Sequence, residues 1–552
     1  MTSPGAGPEG QPSGLVLAGH LVAEEIRRQG VEVVFCVPGE SYLDVLDGLL
    51  SEDAPRLISC RHEAAAANMA VTVGKATGRP GVCLVSRGPG AMHAAIGLHI
   101  AQQDSIPMLL LIGQVPREDL GREAFQEMDY GRVFGSVAKW VVQVIDAERV
   151  AETMAAAFHV AASGRPGPVV VVLPEDLLAE RVPAPPAAPV VPVVMGVDPS
   201  AVEAVREQLA GARRPLIIAG ATGWSQTAAD RLCELAEAAS IPVLASFRSQ
   251  DVIDNRSPAY AGSLGVGSPP SAQEAVRNAD LLLAIGTRLD ELSVGAYRLL
   301  SPADRDRRLL MVHPGADELG RVFQPALKVA AAPGALIAAL ASRPPAAGDG
   351  WPAWAAGLRD GYEQSRAVSQ DGAVDLPEIV RLASDRLPDD TPITNGAGSY
   401  TAYVNRFHQF KRFGTQLAPI AGAMGFGMPA AVAAMALHPD RKAVCYAGDG
   451  CFLMSGQEMA TAVQYRLPII AIVVNNSSYG SIRIHQDRRF PGRAVATDLV
   501  NPDFAAYARS FGAEGEVVTR TEQFEPSLER AIASGVPYLI EVRVEGVRSL
   551  TG

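Results

Sequence analysis

The sequence predicts three doubly wound α/β domains, each built on a parallel sheet. Three observations carry that prediction. Short apolar runs alternate with longer helical patterns along the whole chain. The runs are continuous rather than alternating, as strands covered on both faces require. Two proline-rich stretches, residues 182–194 and 341–352, cut the 552 residues into three blocks of similar size. At about 150 residues per domain, a chain of this length holds three or four domains. Finally, one stretch of the first block is repeated in the third.

Residues 1–13, rich in glycine and proline, read as a disordered tail. They have neither the basic region nor the apolar core of a secretory signal. The first domain is assigned to residues 14–182, with strands at VEVVFCVPG, PGVCLVS, PMLLLIG and PVVVVLP. The second, residues 195–340, has RPLIIAG, IPVLASF, DLLLAIG and RLLMVH. The third, residues 353–552, has TPITNG, KAVCYAG, PIIAIVV and PYLIEVRV.

The repeat pairs VCLVSRGPGAMHAAIGLHIAQQDSIPMLLLIG with VCYAGDGCFLMSGQEMATAVQYRLPIIAIVV. Each starts Val-Cys, turns through glycine, runs a helix and reaches proline before the next strand. Cys83 to Pro107 spans 24 positions and Cys445 to Pro468 spans 23. At the turn, Arg87 stands in the first copy where Asp449 stands in the third block. One offers a cation and the other a metal ligand, so the two copies are expected to have different duties.

Hydrophobic residues make up 48% and charged residues 20%, as in ordinary globular chains. The net charge of −12 argues against nucleic acid or an anionic membrane as a partner. No apolar run reaches the ~18 residues of a membrane span. The six cysteines show no CxxC pairing, and Cys36, Cys83 and Cys445 fall in apolar runs as buried thiols would. A cytoplasmic protein is expected.

In an open parallel sheet, ligands sit beyond the carboxyl ends of strands. Asp449 follows one apolar run and Asn476 the next. An acid, an amide and a backbone carbonyl form an all-oxygen set, which suits Mg²⁺ completing its shell with phosphate oxygens and water. Gly450 and Cys451 would then open a helix whose amides receive an anionic phosphate. A plain turn is the bland reading of Gly-Asp-Gly taken alone. Here it follows a buried strand and precedes Asn-Asn at the end of the next, so a metal-bridged diphosphate is the better account.

Gly448-Asp449-Gly450, followed by Asn476, resembles the thiamin diphosphate signature. Apart from the tail, the chain resembles the acetolactate synthase-like family of thiamin diphosphate enzymes. The resemblance implies pyrimidine-binding, central and diphosphate-binding domains in that order. It implies a homodimer or homotetramer with active sites between subunits. It implies Asp449, Asn476 and the Ser478 carbonyl as metal ligands, with Tyr479, Gly480, Ser481 and Gly39 as further cofactor contacts. The segment beginning SCRHEAAAANM places the cofactor-activating glutamate at Glu63. A carboxyl on the aminopyrimidine ring nitrogen favours the imino tautomer, whose nitrogen can take the thiazolium proton. The bland alternative is an acid stabilised by a helix N-terminus. APIAGAMGFGMPAAVAA resembles the strip beneath the cofactor's bend, with Met424 as the wedge and the Gly422 carbonyl as acceptor. NGAGSY falls at the diphosphate, with Gly398-Ser399-Tyr400 where acetolactate synthases carry Gly-Gln-His.

GQVPREDLGREAFQEMDYGRVFGSVAKW resembles the family's GQVP…AFQE.D stretch and holds Gln114 and Gln126. Arg288 in AIGTRLDE falls near the flavin and the acceptor carboxylate; otherwise it is a surface partner of Asp290. Other positions depart. His485 replaces the tryptophan that shapes acceptor choice. The SGPGATN loop becomes residues 86–93, with Arg87, Met92 and His93. Glu40 stands where biosynthetic enzymes have glycine, and it also reads as a helix N-terminal acid. YAGSLGVGSPP lacks the flavin-side pattern, which leaves FAD open. The catalytic candidates are Glu63, Glu40, Gln126 and His485. The expected reaction is decarboxylation of a pyruvate-like 2-oxo acid, with carboligation to an acceptor carbonyl. Alternatives are a simple decarboxylase or aldehyde lyase, and a non-catalytic thiamin-fold binder. A nicotinamide dehydrogenase is suggested only by LIIAGATGWSQ, which lacks a full GxGxxG.

Overall fold

The computed structural model describes residues 14–51, 53–183, 187–304, 308–546 and 550. The proposed tail, residues 1–13, lies outside them. The chain forms three six-stranded sheets, parallel throughout and flanked by helices. The first sheet runs Arg56–Ser59, Val33–Cys36, Gly81–Ser86, Met108–Gln114, Pro168–Pro174, Trp140–Gln143 from edge to edge. The third runs Gln416–Leu417, Ile393–Asn395, Val444–Gly448, Ile470–Asn475, Tyr538–Arg543, Glu514–Val518. Ranked by sequence within each domain, both follow the order 2-1-3-4-6-5. The internal repeat is therefore a repeat of topology. The central sheet differs: Tyr260–Ser263, Val243–Ala245, Pro215–Ala219, Leu281–Ile285, Arg308–His313, Leu327–Ala330, or 3-2-1-4-5-6. That is the order of dinucleotide-binding sheets. A small antiparallel pair, Leu15–Leu17 with Arg181–Pro183, joins the two ends of the first domain.

The helix Trp351–Arg366 begins inside the second proline-rich stretch and continues into the block read as the third domain. It packs on the central domain instead. The indole N–H groups of Trp351 and Trp354 donate to the carbonyls of Ala212 and Pro215, each at 3.0 Å. Pro352 falls in the helix's first turn, where proline is tolerated because its missing N–H has no intrahelical partner.

One apolar cluster joins the first and third domains, with the helices Glu63–Thr77 and Gly427–Leu437 at its centre. Buried charges then fasten the segment leading to Gly422. Lys75 Nζ donates to the Ala418 carbonyl at 2.8 Å. Asp104 accepts from the amides of Ile420 and Ala421 at 2.6 and 2.8 Å. Arg248, from the central domain, donates to the carbonyls of Pro419 and Gly396. Asp251 accepts from the amides of Gly414 and Gln416. Removing one member of such a network strands its buried partners. Asp104→Ala should therefore destabilise the protein by about 3–5 kcal/mol in urea unfolding.

His313 and His408 are buried, and burial lowers their pKa values to about 4 and about 3. Between those values and about 6.5 the unfolded chain binds protons that the folded chain does not. Stability should accordingly fall as pH drops from 6.5 towards 4. Thermal melts across that range test this, and His408→Gln should make the fall shallower. Among the described residues, no helix is long and apolar enough to cross a membrane.

Candidate active site

In the third sheet the strand order reverses between Ile393–Asn395 and Val444–Gly448. Ligands enter such sheets at this point, beyond the strands' carboxyl ends. A cavity of about 450 Å³ opens there. Gly398, Ser399 and Tyr400 line one side, and Gly422 and Met424 another. Asp449, Gly450, Cys451, Asn476, Ser478, Tyr479, Gly480 and Ser481 complete the predicted set. Gln370, Thr519 and Arg543 also line it, and no motif had pointed to them.

Asp449 is 2% exposed. It opens a helix of one turn, Asp449–Phe452, directly after its strand. Its Oδ2 accepts from Ser478 N at 3.2 Å, and the same N–H reaches Asn476 Oδ1 at 3.1 Å. The predicted acid and amide oxygens therefore converge on one point. Burial raises the Asp449 carboxyl above its ordinary range, offset by hydrogen bonds from Gly450, Asn501 and Ser478. A cation at this point would relieve that desolvation. Asn501, which the sequence reading missed, bridges the two strand ends. Its Nδ2 donates to Asp449 Oδ2 at 2.8 Å and to Asn475 Oδ1 at 2.9 Å. Its own Oδ1 is buried without a partner. Desolvated oxygens gathered at one end of a cavity with the volume of a cofactor pocket fit an Mg²⁺-bridged diphosphate.

Two predicted positions carry further detail. Gly450, expected to offer its amide to phosphate, lines the cavity, and its N–H donates to Asp449 Oδ1 at 2.9 Å. The glycine is required for space: a Cβ would lie 2.5 Å from the Tyr479 ring. Tyr400, standing where the family carries histidine, lines the cavity. Its hydroxyl turns inward, accepting from Gly396 N at 3.0 Å and meeting the Cys451 thiol at 3.5 Å. Cys451 in turn receives the Gly425 amide on sulfur. Both side chains shape the cavity wall.

The first-domain candidates gather elsewhere, around the start of the helix Arg87–Asp104. Gly39 packs so closely that a Cβ would lie 2.4 Å from that of Ser86. Glu40 is exposed on the short helix Glu40–Tyr42. Gln126 has φ +66°, and its carbonyl accepts the Gly88 amide at 2.9 Å. Glu63 begins the helix Glu63–Thr77 beside this group, and Oε2 lies 2.8 Å from His93 Nδ1. None of these lines the third-domain cavity. Arg87 is not a free cation: it pairs with Glu175 at 2.6 Å. His485 is exposed on the helix Gly480–Arg489. Arg288 donates to the Gln103 carbonyl at 2.6 Å, while Asp290 holds Ser293; the two do not form the surface pair weighed above.

Comparison with known proteins agrees with this division. The N-terminal TPP binding domain of thiamine pyrophosphate enzymes matches residues 17–133. Their central domain matches 202–340, and their C-terminal TPP binding domain matches 396–542. The acetolactate synthase isozyme 2 large subunit of Escherichia coli (strain K12) is 33% identical over 535 residues, covering 96% of each chain. The acetolactate synthase large subunit of Parasynechococcus marenigrum (strain WH8102) is 34% identical over 541 residues, 94% of this chain and 86% of its own. The chain belongs to the acetolactate synthase-like thiamine pyrophosphate enzymes. Its cofactor is thiamine pyrophosphate, that is, thiamin diphosphate. The family's division into three domains explains why the site candidates form two groups. One lies on the first domain and the other on the third.

Proposed function

We propose that the protein decarboxylates a pyruvate-like 2-oxo acid and joins the remaining fragment to an acceptor carbonyl. The convergence of Asp449 and Asn476 at the floor of a cavity walled by Gly422 and Met424 carries this reading. When bound, thiamin diphosphate supplies the carbon nucleophile and the electron sink for decarboxylation. Asp449, Asn476 and the Ser478 carbonyl would hold Mg²⁺ against its diphosphate. Gly422 has φ +68° and lines open space. That conformation lets bare backbone approach the cofactor, with Met424 beside it as the wedge. Glu63 would exchange a proton with the pyrimidine ring. His485 and Glu40, both exposed in the single chain, would meet the acceptor once a second chain covers them. FAD enters no step of this scheme.

Products formed from pyruvate, alone and with added aldehydes, test the reading. A new carbon–carbon bond is the expected outcome. Free aldehyde alone would indicate a simple decarboxylase. No turnover of any 2-oxo acid with cofactor saturating would indicate a binding protein.

Glu63 lies outside its own chain's cofactor cavity, so a second copy is proposed to supply it. Inactive Glu63→Gln and Asp449→Ala subunits should complement each other, because a hybrid dimer owns one site with both groups intact. Random mixing makes half the dimers hybrid, each with one working site of two, so roughly a quarter of parental activity should return. No recovery in verified hybrids would place the whole site within one chain.

A further inference from the structure

We propose that His93 is a positioning residue for Glu63, holding one carboxyl oxygen so that the other faces the cofactor's pyrimidine. This rests on the reading of Glu63 as the cofactor-activating acid. His93 lies on the helix Arg87–Asp104, and its Nδ1 is 2.8 Å from Glu63 Oε2. Oε1 points elsewhere, over Gly90, where an added Cβ would sit 3.5 Å from it. The imidazole is itself supported. Its centroid is 4.6 Å from that of His62. His62 is fixed in turn, because its Nδ1 accepts the Ala64 amide at 3.1 Å and caps the helix Glu63–Thr77. Ligand atoms of His62, Glu63 and His93 all lie within 4.8 Å of one another. The Glu63 side chain is 18% exposed and that of His93 54%.

The arrangement assists one proton transfer. With the cofactor bound, a proton carried on Oε1 would pass to the pyrimidine ring nitrogen, leaving Glu63 as a carboxylate. An N–H from His93 to Oε2 then becomes a charge-assisted hydrogen bond, stronger than a neutral one. It stabilises the state that follows transfer more than the state that precedes it. The other titratable groups coupled to Glu63 are Tyr42, from the helix Glu40–Tyr42, and Cys83, from the strand Gly81–Ser86. Burial raises both above their ordinary values, so both stay neutral.

The test is exchange of the thiazolium C2 proton, followed by quenched proton NMR in heavy water with Mg²⁺ and thiamin diphosphate saturating. His93→Ala should slow exchange about 10- to 100-fold, the range for losing a hydrogen bond to a charged group. His93→Gln keeps an N–H for Oε2 and should recover most of the rate. It cannot titrate, so the pD dependence should flatten. Cofactor retention should be unchanged in both variants. Parental exchange in His93→Ala, with Glu63→Gln slow, would overturn the inference and leave the role of Glu63 standing. Equal slowing in both His93 variants with an unaltered pD profile would also overturn it, because the ring's packing would then be what matters. Parental exchange in Glu63→Gln would instead overturn the reading of Glu63.

Discussion

Glu63→Gln should slow exchange of the bound cofactor's thiazolium proton by about 10²–10⁴-fold, the usual contribution of a general acid–base group. The substitution keeps the side chain's length and its position at the start of the helix Glu63–Thr77. It can still meet His93, so the local packing should survive. What it loses is a proton to exchange with the pyrimidine ring. The effect should fall on chemistry and not on binding, since the proposed metal and diphosphate contacts all belong to the third domain. Cofactor affinity measured by titration should therefore stay near the parental value while exchange collapses. If affinity fell in parallel with exchange, Glu63 would be a binding residue. If exchange persisted, another group would activate the cofactor. An acid that merely stabilises a helix start would change the melting temperature and leave exchange alone.

The inner four strands of every sheet were legible, and the two edges of every sheet were not. Inner strands are covered on both faces and paired on both sides, so they read as unbroken apolar runs such as Pro168–Pro174, PVVVVLP. Edge strands have one neighbour and are short or mixed. Gln416–Leu417 has two residues, Leu327–Ala330 reads LKVA, and Glu514–Val518 reads EGEVV. Nothing in such segments distinguishes them from loops. The site divides in a similar way. Asp449 and Asn476 were readable because each directly follows an inner strand. Asn501 was not, because only tertiary pairing brings it in: Tyr479 N donates to the Thr497 carbonyl and Leu499 N to that of Ser477. The inward turn of Tyr400 was equally hidden, since it depends on Cys451 arriving from another strand's end.

Asp449→Ala should abolish the Mg²⁺ dependence of cofactor binding. In the parent, thiamin diphosphate titrated with and without Mg²⁺ should differ in affinity by at least ~10²-fold, more than outer-shell changes at metal sites usually cost. In the variant the ratio should approach one. Asp449 supplies the only carboxylate of the proposed ligand set, and Asn476 and a backbone carbonyl are neutral. Without it, the site has no formal charge to set against a divalent ion that gives up water reluctantly. The loss should not unfold the domain. Two of the abandoned donors, Gly450 N and Ser478 N, belong to residues that line a cavity water can enter, and Asn501 Nδ2 keeps Asn475 Oδ1 as an acceptor, so their cost is below that of donors sealed in a core. Asp449→Asn separates charge from shape. It retains one acceptor oxygen for Gly450 N but sets an amide N–H against Asn501 and Ser478. It should therefore bind metal as poorly as the alanine variant. If either variant kept the parental Mg²⁺ dependence with its fold intact by circular dichroism, the ion would be held elsewhere and the convergence of Asp449 with Asn476 would be structural.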